Sequence, residues 1–202
     1  MLQRDLHYMK TNFEINGLFY ENKNLLYRKY LDIKRNETIT NNPDLMVVMM
    51  NPGSSRPEDD NEKNTIASKA VPDKTQDQII KVMNNCNFNH ARILNLSDLR
   101  EAKSKVFYSK LDELKTIPHS IFDDDRINDF ETLFVKSIPV IFAWGVDKKL
   151  EALALKAIER INEPRPFGLL KERTTSAYYH PLPQNYYEQE RWCEEISKML
   201  KI

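Results

Sequence analysis

Two polar turns that follow apolar segments are the places where this chain could most easily build chemistry. The first is Asn51-Pro52-Gly53, and the second is His180-Pro181-Leu182-Pro183, which Tyr179 precedes. An asparagine amide both donates and accepts hydrogen bonds, and a neutral histidine ring offers one donor and one acceptor. Ligands bind outside the carboxyl ends of strands in open α/β sheets. If both turns follow strands of one sheet, they are candidates for a shared ligand site.

Four short segments predict the strands that would position these turns. They span residues 45–50, 92–96, 140–144 and, more weakly, 174–178. The first is an unbroken apolar run stopped by a turn, which is typical of a strand buried on both faces. The segments end at or near Asn51, Asn95, Gly145 and His180. Because parallel strands end at the same edge of a sheet, we expect these residues to line one cleft.

Helical spacing between these segments predicts an α/β fold. Thr75-Gln76-Asp77-Gln78 fits a capping box at the start of a helix. Asp147 would open the cleanest amphipathic helix. Further helices are expected around residues 107–114, 127–134 and 192–200. Strands that alternate with helices indicate a parallel sheet with helices on both faces.

Two further segments stand apart from this alternation. Residues 13–33 predict a β-hairpin with its turn at residues 21–24. Residues 53–74 are polar and predict a long loop, of the kind that often serves as a functional lid. We expect a single domain over residues 1–202, in which residues 1–40 form an N-terminal hairpin extension.

Composition restricts the classes of partner. Lys+Arg and Asp+Glu each total 30 residues, so no global field attracts nucleic acid, although a small basic face remains compatible with binding it. Cys86 and Cys193 have neither disulfide-framework nor metal-ligand spacing. The sequence lacks a signal peptide and an apolar run of roughly 20 residues. These features predict a cytoplasmic protein that does not enter a membrane.

Familiar cofactor and catalytic motifs are missing from the sequence. Its four glycines, at positions 17, 53, 145 and 168, cannot build a G-x-G-x-x-G or Walker loop. It contains no H-E-x-x-H and no G-x-S-x-G motif. The remaining histidines, His7, His90 and His119, have no partner pattern. We therefore expect neither a metal nor a cofactor.

The order of the strand ends resembles the uracil-DNA glycosylase-like superfamily. Members carry an Asp-Pro or Asn-Pro-Gly turn after the first sheet strand and a His-Pro-Ser-Pro turn after the last. The matching residues here are Met50-Asn51-Pro52-Gly53, Leu94-Asn95, Ala143-Trp144-Gly145 and His180-Pro181-Leu182-Pro183. The order M-x-N-P, N-L, A-W-G, H-P-L is similar to that of a bacterial family of unknown function. The resemblance covers residues 45–200 and implies a three-layer α/β/α fold with a short parallel central sheet.

The resemblance also implies a reaction, the cleavage of an N-glycosidic bond. Asn51 and His180 would be the catalytic residues. The Asn51 carbonyl would hold a water beside the sugar cation, and His180 would donate a hydrogen bond to the departing base. Roles in binding the base, by reading its edge or stacking on it, would fall to Asn95, Gly53, Trp144 and Tyr179.

Three features differ from the superfamily pattern and weaken the case for a DNA substrate. Leu182 replaces the serine of His-Pro-Ser-Pro, the segment after Gly53 is acidic, and the net charge is zero. The first functional hypothesis is an N-glycosylase-like hydrolase acting on a base in nucleic acid or a nucleotide. The alternative is a non-catalytic module of the same fold that binds a nucleotide or nucleic acid. An unrelated structural role also stays open, because fold does not dictate function.

Structural roles are also open for the individual residues. Asn51-Pro52-Gly53 is common turn chemistry, and His180 can be a hydrogen-bonded structural histidine. Asn95 can brace local backbone, and Trp144 can belong to the core. The acidic pair Asp59-Asp60 is better explained by a solvated loop than by a general base.

Overall fold

A six-stranded sheet with helices on both faces organises the chain. The computed structural model describes residues 12–63, 65–114, 117–163 and 165–201. The strands are β1 (Phe13–Asn22), β2 (Leu25–Arg35), β3 (Leu45–Met49), β4 (Ser68–Lys69), β5 (His90–Asn95) and β6 (Val140–Phe142). The helices are α1 (Lys74–Cys86), α2 (Ser104–Glu113), α3 (Ile127–Leu133), α4 (Glu151–Ile161) and α5 (Tyr186–Leu200). Residues 1–11 of the predicted 1–40 extension, His7 among them, lie outside the described residues.

The sheet is mixed, and this corrects the prediction of a short parallel sheet. Its strand order is β4-β1-β2-β5-β3-β6. Only β3 with β5 and β3 with β6 pair in parallel. The predicted hairpin forms, with Lys23 and Asn24 at positive φ in its turn. Its second strand then joins β5 in an antiparallel ladder, with Leu31 opposite Ile93. The hairpin is therefore part of the sheet. The α/β class is confirmed, but the sheet has more strands than expected and is mixed.

Alternation along the central strand divides the core into two clusters. In β3, Met46 and Val48 face one side, and Leu45, Val47 and Met49 face the other. All five β3 residues are buried, as expected for a strand covered on both faces. The first cluster contains residues of α2, α3 and α4, and the second contains residues of α1 and α5. The predicted amphipathic helices therefore cover both faces of the sheet.

The segment before His180 is not the weak fourth strand that the sequence predicts. Phe167 occupies the place beside β6, forming a single parallel bridge with Ile141. Pro166 has no backbone N–H, which leaves it unable to donate in a ladder. Tyr178 forms only isolated bridges, one of them with Gly145. His180 therefore reaches the sheet edge on an irregular segment.

The segment from residue 53 to residue 74 is more ordered than a long loop. β4 pairs with β1 through Gly17 and Ser68. Ala70 is buried, and its N–H donates to the carbonyl of Ile15 at 2.9 Å. A side-chain ion pair between Glu62 and Arg100 ties the same segment to the residues after β5. The predicted loop thus contains the edge strand of the sheet.

The described residues contain neither a membrane-spanning helix nor a cluster of metal-binding side chains. Among them, no helix has the length and apolar character needed to span a membrane. The same residues contain no group of three or more His, Cys, Asp or Glu side chains arranged to hold a metal ion. Cys86 and Cys193 are both free thiols.

Candidate functional site

A cleft at the carboxyl end of β3 contains both predicted catalytic residues. Asn51 and His180 line it together, and its volume is about 480 Å³. Leu31 and Ile93 contribute apolar surface from β2 and β5. Other cavities of similar volume in the described part of the chain contain none of the predicted site residues. The polar groups of this cleft, and not its size, single it out.

Backbone hydrogen bonds fix the orientation of the Asn51 side chain. Its Nδ2 donates to the carbonyl oxygens of Leu99 at 3.2 Å and Glu101 at 2.8 Å. Because only the nitrogen of the amide can donate, Oδ1 is the atom left for other partners. No described residue donates a hydrogen bond to it. Asn51 therefore offers a fixed acceptor to whatever enters the cleft.

A backbone hydrogen bond also selects the tautomer of His180. The N–H of Leu182 donates to Nδ1 at 3.1 Å, so Nδ1 is an acceptor and the ring proton belongs on Nε2. Burial lowers the pKa of His180 to about 4. At neutral pH the ring is therefore uncharged and acts as a donor through Nε2. Leu182 makes this bond through its backbone, so any non-proline residue at this position could supply it.

Gly53 lines the cleft directly after Asn51 and Pro52. Its φ of 62° lies in the left-handed region, which glycine adopts without the penalty of a side chain. A Cβ at this position would meet no atom within 4 Å. The glycine is therefore needed for the path of the backbone, and the open space beside it belongs to the cleft.

Asn95 ends β5 but is not among the residues that line the cleft. It is fully buried, and neither of its amide atoms has a hydrogen-bond partner within the described chain. Met49, its neighbour in the β3–β5 ladder, does line the cleft. Leaving a buried amide without hydrogen bonds costs free energy. The hydrogen bonds of Asn95 must therefore come from a group outside the described residues. Its predicted role in reading a base stays a prediction.

Trp144 and Tyr179 also lie away from the cleft lining. Trp144 is 1% exposed, and its indole N–H donates to the carbonyl of Ser176 at 2.7 Å. It packs against Phe142 and Tyr178 in the core, so a ligand could stack on it only after the core rearranged. Tyr179 is 45% exposed and precedes His180 at the surface. The stacking role predicted for either ring stays untested.

The cleft also contains charged and polar residues that sequence reasoning missed as site residues. Arg28 of β2 lines it although the side chain is only 3% exposed. Asp73 and Gln76 line it from the start of α1. The only sequence signal for Arg28 was a basic residue within the apolar stretch of the predicted hairpin. Such a residue does not indicate a site by itself, because exposed charges are common in edge strands.

Asp73 and Gln76 form the capping box of α1, two residues earlier than the Thr75–Gln78 box that the sequence predicts. Asp73 Oδ1 accepts from the backbone N–H groups of Thr75 at 2.8 Å and Gln76 at 2.9 Å. Gln76 Oε1 accepts from the N–H of Asp73 at 3.1 Å. Aspartate is preferred over threonine as an N-cap, which explains the earlier start. This start brings both side chains to the cleft.

Opposite charges balance in the lining of the cleft. Arg28 and Lys74 are basic, and Asp73 and Glu101 are acidic. Glu101 already accepts from Lys110 Nζ at 2.8 Å, and this ion pair lowers its pKa. The cleft thus lacks the basic excess with which proteins attract a nucleic-acid strand.

A family model matches most of the chain, residues 32–182, and its family is described as a protein of unknown function (DUF1643). The matched segment contains all the residues predicted for the site, from Asn51 to His180. No curated protein and no solved structure matches the chain. Because the match covers well over half of its length, the chain belongs to the DUF1643 family.

Proposed function

We propose that this protein is an N-glycosylase-like hydrolase that releases a base from a nucleotide or nucleic acid, with a three-layer fold of the uracil-DNA glycosylase type. One observation carries the proposal. Asn51 presents a free acceptor and His180 a neutral donor in the same cleft, each fixed by backbone hydrogen bonds. These are the two hydrogen-bonding roles that the proposed cleavage of an N-glycosidic bond would use.

Asn51 would position the water that attacks the sugar. The bond between C1′ and the base nitrogen breaks, and its electron pair leaves with the base. The sugar then resembles an oxocarbenium ion, to which water adds its oxygen at C1′ and gives up a proton. An amide is too weakly basic to activate a strong nucleophile, but a cationic centre needs only a correctly placed water. Oδ1 of Asn51 would accept a hydrogen bond from that water and hold it.

His180 would stabilise the departing base. Nε2–H donates a hydrogen bond to a carbonyl oxygen on which negative charge develops, and the neutral ring keeps its proton. A fixed donor of this kind contributes about 10²–10³ in rate in other enzymes. The backbone N–H of Leu182 supports this role, because it keeps the donor on Nε2. Once expelled, the base takes its proton from solvent.

The volume and charge of the cleft favour a small ligand. A volume of about 480 Å³ lies within the range of ligand pockets. The balanced charges of its lining favour a single nucleotide or a flipped base over a strand bound along its backbone. The alternative, binding without catalysis, would use the same groups.

The test is an assay of base release by the purified full-length chain. Substrates are single- and double-stranded oligonucleotides containing uracil or hypoxanthine, together with the corresponding nucleotides and nucleosides. Chromatography detects the free base. We expect release that falls by at least about 10²-fold in both Asn51→Ala and His180→Ala. Asn42→Ala, which removes an exposed asparagine, is the matched control and should retain activity.

Two results would decide against hydrolysis. Release by both variants at the rate of the parent chain would point to a contaminating enzyme. Binding of the same nucleotides without release would assign the cleft to the non-catalytic module. Circular dichroism of each variant would show that lost activity is not lost folding.

A further inference from the structure

Arg28 is a buried cation whose guanidinium has no ion-pair partner among the described residues. Its side chain is 3% exposed, and it lines the cleft that contains Asn51 and His180. Nε has no hydrogen-bond partner, and the guanidinium forms no ion pair within the described chain. Arg126, whose side chain is more exposed at 12%, is paired with Asp98 at 3.0 Å. A buried charge without a partner is strongly unfavourable, so the exception calls for an explanation.

Nearby acids do not neutralise this guanidinium by contact. The charges of Asp73 and Asp98 act on it from a distance, while burial lowers its pKa to about 10. Asp73 already accepts two backbone hydrogen bonds at the start of α1. Asp98 accepts from Arg126 and Tyr20 through Oδ2, while its buried Oδ1 has no hydrogen-bond partner, so neither oxygen bonds the Arg28 guanidinium. A partner for Arg28 must therefore come from outside the described chain.

Gln76 adds a second donor without a partner to the same cleft. It is 2% exposed, and its Oε1 is held by the N–H of Asp73. This bond leaves Nε2, which is buried and has no hydrogen-bond partner among the described residues. Arg28 and Gln76 thus present only donors to the cleft. The first-turn N–H groups of Thr75 and Gln76 are already used by Asp73, so the site does not depend on the end of the helix.

We propose that Arg28 and Gln76 form a phosphate-binding subsite of the cleft. A guanidinium presents a planar fork of N–H groups that matches two phosphate oxygens, and a third oxygen can accept from Gln76 Nε2. The apolar neighbours Leu31, Met49 and Ile93 keep water away and strengthen these bonds. The assignment of the phosphate to a nucleotide rests on the proposed function, whereas the subsite itself does not.

Because Arg28 is buried, a phosphate at the end of a ligand can reach it more easily than a phosphate within a nucleic-acid strand. Arg28 is almost fully enclosed, and a phosphate inside a strand carries a nucleotide on both sides. The phosphate of a nucleoside monophosphate carries only one, so it can enter an enclosed pocket. The ligand class is therefore a nucleoside monophosphate or a similar small phosphate ester.

The test measures anion binding by the full-length chain without using base release. Thermal unfolding and calorimetry follow titration with inorganic phosphate at constant ionic strength, with chloride as the reference salt. We expect phosphate to stabilise the parent chain, and Arg28→Met to weaken phosphate binding by about tenfold or more. Without ligand, Arg28→Met should unfold at a temperature equal to or higher than that of the parent, because it removes an unpaired buried charge. Arg191→Gln, at an exposed position on α5, is the control and should bind phosphate normally.

A second variant keeps the test decisive if Arg28→Met does not fold. Gln76→Glu preserves the acceptor that the capping box needs, replaces the free donor with an acceptor, and adds a negative charge beside the guanidinium. It should fold and lose phosphate binding. The proposal is overturned if phosphate stabilises the parent no more than chloride does, or if both variants bind phosphate as the parent does.

Two further ligands identify the source of the phosphate. A nucleoside monophosphate should bind at least about tenfold more tightly than the same nucleoside, and only in chains that retain Arg28. A single-stranded oligonucleotide without terminal phosphates should gain nothing from Arg28. Arg28-dependent binding of that oligonucleotide would overturn the assignment to a terminal phosphate. Failure of base release leaves these binding results unchanged, so the two proposals can fail separately.

Discussion

Asn51 and His180 have one feature in common. In each side chain, backbone groups hydrogen-bond to one polar atom, and the other polar atom has no hydrogen-bond partner among the described residues. Two carbonyls hold the Asn51 amide nitrogen, and one N–H holds His180 Nδ1. Such bonds fix the remaining polar atom in advance, which would lower the entropy that binding of a ligand must offset. At this scale, the two residues are better prepared for a ligand than their sequence context indicates.

The tautomer and charge of His180 give the first prediction. Nitrogen NMR of the ring should find the proton on Nε2 at neutral pH. Because burial lowers the pKa to about 4, the ring should stay neutral as the pH falls from 7 to 5. The folded chain then binds this proton less readily than the unfolded chain, so His180 reduces stability as the pH falls from about 6.5 towards 4. A ring that titrates near 6.5, or carries its proton on Nδ1, would contradict the assignment.

Asn51→Asp gives the second prediction. The new carboxylate would face the carbonyls of Leu99 and Glu101, which now accept from the amide. We expect a loss of about 2–4 kcal/mol in the free energy of unfolding at pH 7. The carbonyl oxygens should raise the folded-state pKa of the new acid, so the loss should shrink as the pH falls towards 4. Urea unfolding at several pH values measures this, with exposed Asn42→Asp as the control. An equal loss at pH 7 and pH 4 would contradict the orientation of Asn51.

At the scale of elements, the sequence predicted the strands and helices whose hydrophobic pattern is contained within a single segment of the chain. The buried run before Asn51 forms β3, and the amphipathic pattern after Asp147 forms α4. The segment before His180 is different, because it forms isolated bridges where a strand was expected. Its backbone partners include a residue far away in the chain, since the N–H of Gly145 donates to the carbonyl of Tyr178 at 2.7 Å, and no periodic pattern encodes such a pairing. The prediction that His180 lies in the cleft rested on a strand ending before it, whereas an irregular segment brings it there.

Two glycines at different elements give the third prediction. A Cβ on Gly168 would lie 2.6 Å from the carbonyl oxygen of Phe142 and from Tyr178, which form part of the core. Gly168→Ala should cost about 3 kcal/mol or more, since backbone or core must move. Gly53→Ala meets no atom and should cost only the conformational strain of positive φ, about 1–2 kcal/mol. Urea unfolding compares the two variants. Equal losses of unfolding free energy in the two variants would contradict a tight contact of Gly168 with Phe142 and Tyr178.

At the scale of the whole molecule, the N-terminal hairpin belongs to the cleft and not only to the sheet. Arg28 and Leu31 of β2 line the cleft beside residues of β3, β5 and α1. The family match begins at residue 32, so Arg28 lies just outside it. Sequence reasoning could not place Arg28 in the site, because the contact depends on the antiparallel ladder between β2 and β5. Long-range pairing of this kind has no local signature.

A buried polar network joins the same hairpin to the opposite face of the sheet. Asp98, which is fully buried, accepts from Tyr20 of β1 at 3.0 Å and from Arg126 at 3.0 Å. Its backbone carbonyl accepts from the N–H of Arg28 at 2.9 Å. One residue therefore connects β1, β2 and the turn before α3. We expect this network, together with the β2–β5 ladder, to hold the hairpin and Arg28 in position.

Removing the centre of the network gives the last prediction. Asp98→Ala leaves Arg126 with its bond to Asp129 but without its buried partner, and it leaves the hydroxyl of Tyr20 unpaired. Breaking a buried pair from one side costs about 3–5 kcal/mol, so the variant should unfold at a much lower urea concentration. Asp124→Ala is the matched control, because its carboxylate is 96% exposed and its ion pair with Arg160 should contribute no more than about 1 kcal/mol. Because the hairpin should shift when the network is lost, Asp98→Ala should also weaken phosphate binding through Arg28, whereas Asp124→Ala should not. Similar stability of the two variants would show that the network does not hold the hairpin in place.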